Sequence, residues 1–99
     1  MVTKLKFMRG GRPARRGLGV SIHWQGHSSW NPFGGGHTLL KTDDDGCVTV
    51  DDALFSDSKR ATDNVYIDNP DGGYSLKFPG VTIYRNTINH FDIEDAQRQ

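Results

Sequence analysis

The sequence predicts an all-β protein, an antiparallel sandwich or barrel of about seven short strands. Three observations carry that reading. Apolar and polar residues alternate with a period of two in run after run, Gly, Pro, Asn and Asp stand between the runs, and helical periodicity is scarce.

The runs can be taken in order. Leu5 and Phe7 alternate with Lys4 and Lys6. Leu18, Val20, Ile22 and Trp24 alternate with Gly19, Ser21, His23 and Gln25, which places Trp24 with the core. "HTLLKT" (37–42), "CVTV" (47–50), "NVYID" (64–68), "YSLKF" (74–78) and "VTIYR" (81–85) follow, each bounded by residues that supply turn geometry. Two stretches have helical potential. "DDALFSDSKRA" (51–61) predicts one short helix with Asp51 or Asp52 as N-cap, and "NHFDIEDAQRQ" (89–99) forms another or frays.

Ninety-nine residues with 34% apolar content make one domain, residues 1–99, with a single modest core. No apolar run is long enough to span a membrane, and the basic start "MVTKLKFMRGG" lacks the apolar stretch of a secretion signal. The one cysteine, Cys47, cannot pair within the chain, so a cytoplasmic location is expected. The formal net charge is zero by cancellation. Lys4, Lys6, Arg9, Arg12, Arg15 and Arg16 put +6 on residues 1–16, whereas nine aspartates against Lys59 and Arg60 put −7 on residues 43–71. These opposite segments can pair within one fold, between copies, or with an outside partner, and the first is the simplest.

"TDDDG" (42–46) invites a calcium reading. Setting Gly46 sixth in an EF-hand loop puts Lys41 first, where a cation repels the metal, and Asp52 twelfth, where glutamate is needed. A hairpin closed by the Asp-Gly pair fits better, with Asp43 and Asp44 capping backbone amides or facing solvent.

Taken together, "GGRPARRGLGVSIHW", "TDDDGCVTV" and "GGYSLKF" resemble, in order and spacing, the transthyretin-like (prealbumin-like) sandwich, which is also similar to carboxypeptidase regulatory-like and collagen-adhesin B-type domains. The resemblance covers roughly residues 4–85 and implies two packed sheets, with Leu5, Val20, Ile22, Val48, Val50, Tyr74, Leu76 and Phe78 facing inward. "GRPA" (11–14) also resembles the hydroxyisourate hydrolase branch. Where that branch implies a catalytic histidine this chain has Lys4, and where it implies an arginine after the turn the chain has Cys47. The branch's terminal Tyr-Arg-Gly-Ser corresponds to Tyr84-Arg85-Asn86-Thr87, followed by twelve more residues. No catalytic residue is carried over.

Other chemistry is sparse. His23, His27 and His37 are the candidate metal ligands, at no established zinc spacing and with no Cys or carboxylate beside them. Trp30 and Phe33 stand in a glycine-rich loop, where exposed aromatics bind sugars or proteins, and His27 and His37 flank them as ligand-binding candidates. Arg9, Arg12, Arg15 and Arg16 form a basic loop that could hold phosphate, but it lacks aromatic interleaving, so nucleic acid is not the expected partner. Cys47 and His37 make a conceivable nucleophile pair, against which a strand cysteine ordinarily serves as a small buried apolar residue.

The expectation is a non-catalytic interaction module without a cofactor. It would bind a protein partner or its own copies, as a homodimer, through edge strands and the 24–37 loop. The alternatives are a carbohydrate or small-molecule binder using Trp30 and Phe33, and a hydrolase with a histidine-based site, with or without a metal.

Overall fold

A computed structural model describes residues 2–25, 35–51, 55 and 59–98, with backbone alone described at 24–25, 35–39 and 98. Among the described residues the chain forms two β-sheets. The first contains β1 (Thr3–Arg9), β2 (Arg12–Pro13), β5 (Cys47–Val50) and β8 (Ile88–Asp92). The second runs β4 (Gly35–Lys41), β3 (Gly19–Gln25), β6 (Arg60–Ile67), β7 (Leu76–Tyr84) and β9 (Gln97–Arg98) in that spatial order. All pairings are antiparallel except one: β1 and β8 run parallel.

The period-two pattern folds as it predicts. Along β1, Thr3, Leu5 and Phe7 are buried while Lys4, Lys6 and Met8 are only partly so. Val20 and Ile22 of β3, Val48 and Val50 of β5, Val65 and Ile67 of β6, and Leu76, Phe78 and Ile83 of β7 meet them between the sheets. Phe7, Phe78 and Phe91 form an aromatic knot there, with ring centroids 5.3 to 6.0 Å apart. Ring pairs at these separations add attraction beyond the area they bury.

Five expectations need correction. Tyr74 is not a core residue but stands 81% exposed. Gly72 and Gly73, both at φ +88°, turn the chain just before it, so the inward alternation begins only at Leu76. The runs 74–78 and 81–85 are a single strand, β7, interrupted by a bulge. Phe78 partners Val65 and Val81 partners Asp63, so Pro79 and Gly80 together oppose Asn64. A bulge is one of the few places a sheet tolerates proline. The terminal segment is β8, a 3-10 turn at Ile93–Asp95 and β9, because Asn89, Phe91 and Ile93 are all drawn toward the interior. In 51–61, Arg60 and Ala61 already belong to β6, and Phe55 is a buried residue in 3-10 conformation. The remainder of that expected helix, 52–54 and 56–58, lies outside the described residues.

The fifth correction is the aspartate turn. β4 pairs with β3 and β5 pairs with β1, so the segment between them is no hairpin. It carries the chain from one sheet to the other. The Gly46 carbonyl accepts a 2.9 Å bond from the Phe7 amide, and the Gly46 amide donates to the Asp43 carbonyl at 3.0 Å. The first bond fastens the turn to β1, the second closes it, and the Asp43 amide donates to the Cys47 carbonyl of β5 at 2.9 Å. The Asp43 carboxylate does cap amides, accepting from Asp45 at 2.8 Å and Cys47 at 3.0 Å. Those two donors hold its carboxyl below the usual carboxylate range. Thr42 completes the crossover: its hydroxyl accepts from the Leu18 amide and donates to the Arg15 carbonyl.

Gly46 is where this crossover can be tested. Its φ is +73°, and a Cβ there would lie 2.6 Å from the Phe7 carbonyl oxygen and 2.8 Å from the Ala14 nitrogen. Gly46→Val should therefore cost more than about 2 kcal/mol in urea unfolding, because backbone cannot move aside as a flexible side chain would. Calcium should leave the melting temperature of the unsubstituted chain where it was, since Asp43 is already committed to amides. An unchanged stability in the variant would contradict the crossover.

Candidate functional site

The site begins at a corner. After β7 the chain leaves the second sheet, and Asn86 takes a left-handed φ of +62°, which Asn tolerates better than most residues. The Asn86 amide donates to the Thr3 hydroxyl at 2.7 Å, and Lys4 donates its amide to the Thr87 carbonyl at 3.0 Å. Buried Asn89 then ties three backbone groups together. Its side-chain oxygen accepts from the Tyr84 amide at 2.8 Å, and its nitrogen donates to the carbonyls of Tyr84 and Lys4 at 3.0 and 3.3 Å. One carboxamide thus joins the end of β7 to the start of β1, and β8 is laid down parallel to β1.

This placement decides what β8 offers outward. Lys4 stands opposite Thr49 of β5 and Ile88 of β8 at once, so β5 and β8 flank β1 and β8 is an edge strand. The Lys4–Thr87 bond turns the Thr87 carbonyl toward β1. Backbone alternation along a strand then aims the amides and carbonyls of Ile88 and His90, and the amide of Asp92, away from β1. Among the described residues no backbone bond reaches these groups. Two exposed aliphatic side chains, Val2 and Ile88, lie beside them around a hollow of about 570 Å³ that also takes in Lys4, Thr87 and His90. Among the described residues the other edges are β4, on the far side of the five-stranded sheet, β9 and β5. β9 pairs with the start of β7, whose later part carries the Pro79-Gly80 bulge, and β5 has only four residues.

A second feature lies on the outer face of the five-stranded sheet. Ser21, Tyr66 and Lys77 form one cross-strand row. The Lys77 ammonium sits 5.7 Å from the Tyr66 ring centroid, and the His23 ring meets Tyr66 edge-on at 4.7 Å. Tyr74 stands at the rim.

A third feature is buried. Asp63 shares the inward phase of Val65 and Ile67 and is only 3% exposed. Among the described residues one of its carboxylate oxygens has no hydrogen-bond partner, and burial pushes the carboxyl up to about 6.

The sequence-derived candidates scatter. Arg9 is held by Asp71 through two bonds of 3.0 and 2.6 Å, and Arg16 approaches Asp44 at 3.5 Å. The opposed charges therefore pair within the chain at these two points, both well exposed and contributing little to stability. Arg12 lies on β2 and Arg15 in the following loop, both exposed, so the four arginines do not converge on a phosphate cradle. His23 is on the outer face of β3, and the β3–β4 register sets His37 opposite it, although the His37 side chain is outside the described residues. His27, Trp30 and Phe33 also lie outside them. Among the described residues no group of three potential ligands comes together to hold a metal ion. Cys47 is buried, and burial, reinforced by nearby Asp43, pushes its thiol up, the wrong direction for a nucleophile. Lys4, which the resemblance alone sets against the hydrolase histidine, projects on the outer face of β1.

Comparison with protein-family models, curated proteins and solved structures found no match to this chain.

Asp63 makes stability depend on pH in a defined direction. A folded-state value near 6, against an ordinary 3.8, means that the fold favours the protonated acid. Its contribution is fully present below the ordinary value and is lost as pH rises through about 6. Asp63→Asn should flatten the fall in unfolding free energy across this range and gain up to about 3 kcal/mol at neutral pH. Urea titrations of both proteins at a series of pH values check this, and parallel profiles would refute it.

Proposed function

We propose that this chain is a non-catalytic binding module of the transthyretin-like kind, and that it associates with a second copy of itself through the outer edge of β8. The supporting observation is the row of outward backbone groups on Ile88, His90 and Asp92, flanked by exposed Val2 and Ile88. Unpaired edge groups next to apolar side chains favour strand addition, because main-chain bonds form while apolar area leaves water. A strand that meets its own copy antiparallel about a two-fold axis closes the association at two chains. With a formal net charge of zero, two copies meet without long-range repulsion. The Arg9–Asp71 and Arg16–Asp44 pairs, already made within each chain, leave backbone and apolar contacts as the main source of affinity.

The proposal has a selective test. The His90 amide points away from β1, so His90→Pro removes an outward donor and no bond of the fold. Sedimentation of the unsubstituted chain at micromolar to millimolar concentration should show a dimer that persists in high salt. His90→Pro should be monomeric with its melting temperature within a few degrees of the parent monomer. A parent chain that stays monomeric throughout, or a dimer indifferent to His90→Pro, would overturn the reading.

A further inference from the structure

The outer face of the five-stranded sheet, away from β8, carries a site of its own. Ser21, His23, Tyr66, Tyr74 and Ser75 surround an open hollow of about 460 Å³, within the range of small-ligand sites. We propose that this hollow binds a neutral sugar ring, with Tyr66 and Tyr74 as its aromatic walls.

The chemistry of the lining selects the ligand. Its side chains supply four hydroxyls, from Ser21, Tyr66, Tyr74 and Ser75, together with one imidazole and two phenol rings. Among the described residues no aliphatic side chain lines it to hold a lipid tail. Among the described residues no lysine, arginine or carboxylate lines it, and the Lys77 ammonium beside it is engaged with the Tyr66 ring, so the lining itself is uncharged. A pyranose matches what remains. Its C–H face lies against an aromatic ring, and its rim of hydroxyls exchanges hydrogen bonds with hydroxyls and imidazole, groups that both donate and accept.

The walls are also set in advance. Tyr66 is half-buried in the central strand β6, and its ring is bracketed by the Lys77 ammonium at 5.7 Å and the His23 ring at 4.7 Å and 62°. A ring held in this way loses little freedom on binding. Tyr74 is displaced from the ladder by Gly72 and Gly73 and keeps 81% of its surface exposed, with no core contact to account for a large aromatic side chain there. Burying that ring against a sugar removes the apolar area that folding leaves in water.

Two-dimensional amide NMR of the full chain, titrated separately with cellohexaose, chitohexaose and maltohexaose, tests the assignment. At least one of the three should shift the amides of Ser21, His23, Tyr66, Tyr74 and Ser75 and leave those of β8 in place. Tyr74→Ala, at an exposed position outside the strands, should keep the fold and weaken binding about tenfold. Tyr66→Leu should do the same while keeping a strand-compatible side chain. No shift with any of the three sugars, shifts confined to other residues, or an affinity indifferent to Tyr74→Ala would each overturn the proposal. So would broadening of these same amides with protein concentration alone, which would mark the hollow as a protein contact.

Discussion

The Asn89 carboxamide is the constraint on which the rest of the arrangement depends. It satisfies both backbone groups of Tyr84 and the carbonyl of Lys4, three polar groups brought together where the chain changes sheets. A buried amide with its partners made is cheap, whereas the same backbone groups left bare would each cost about 1–3 kcal/mol. No apolar residue of similar size could replace it. Together with the Asn86–Thr3 bond, it fixes where β8 starts and that β8 lies parallel to β1. The open edge of β8, and with it the proposed interface, follows from that placement.

The two crossovers work differently. The Gly46 turn is closed on itself: its carbonyl, its amide and the Asp43 carboxylate are all engaged, and its left-handed backbone fits between Phe7 and Ala14. It is a structural fastening. The Asn89 corner satisfies its own groups but delivers a strand whose outer side is unpaired. The five-stranded sheet adds a third kind of surface, a face with its aromatic residues positioned by neighbours on adjacent strands. The proposed interface and the proposed ligand hollow lie on different sheets, so the two proposals do not draw on the same surface.

Much of this was legible in the residues, and the limits have physical causes. Alternation marked β1, β3, β5 and β6 because one face of each is buried and the other is not, which is the condition for period two to show. It missed β8, where Ile88, His90 and Asp92 face out while Asn89 sits inside, an inversion that no hydropathy pattern reveals. Asp43 was recognisable as an amide cap, since its carboxylate acts within four residues. That it caps a crossover rather than a hairpin depends on Phe7 and Ala14, distant in sequence. Tyr74 was assigned to the core by the resemblance to transthyretin-like sandwiches, and two left-handed glycines moved it out. Tyr66 and Asp63 were within reach: once Val65 and Ile67 are taken as inward, Tyr66 must face out and Asp63 must face in. Among the proposed binding residues, His23 was singled out for metal and instead stands against an aromatic ring.

The most direct measurement of the central claim is amide hydrogen exchange along β8 as protein concentration is raised. If the outer edge of β8 is where two copies meet, the amides of Ile88, His90 and Asp92 slow with concentration while those of Asn89 and Phe91, already turned toward β1, do not change. That alternating pattern is specific to strand pairing at this edge. Exchange at Ile88, His90 and Asp92 that stays fast and independent of concentration would contradict the account.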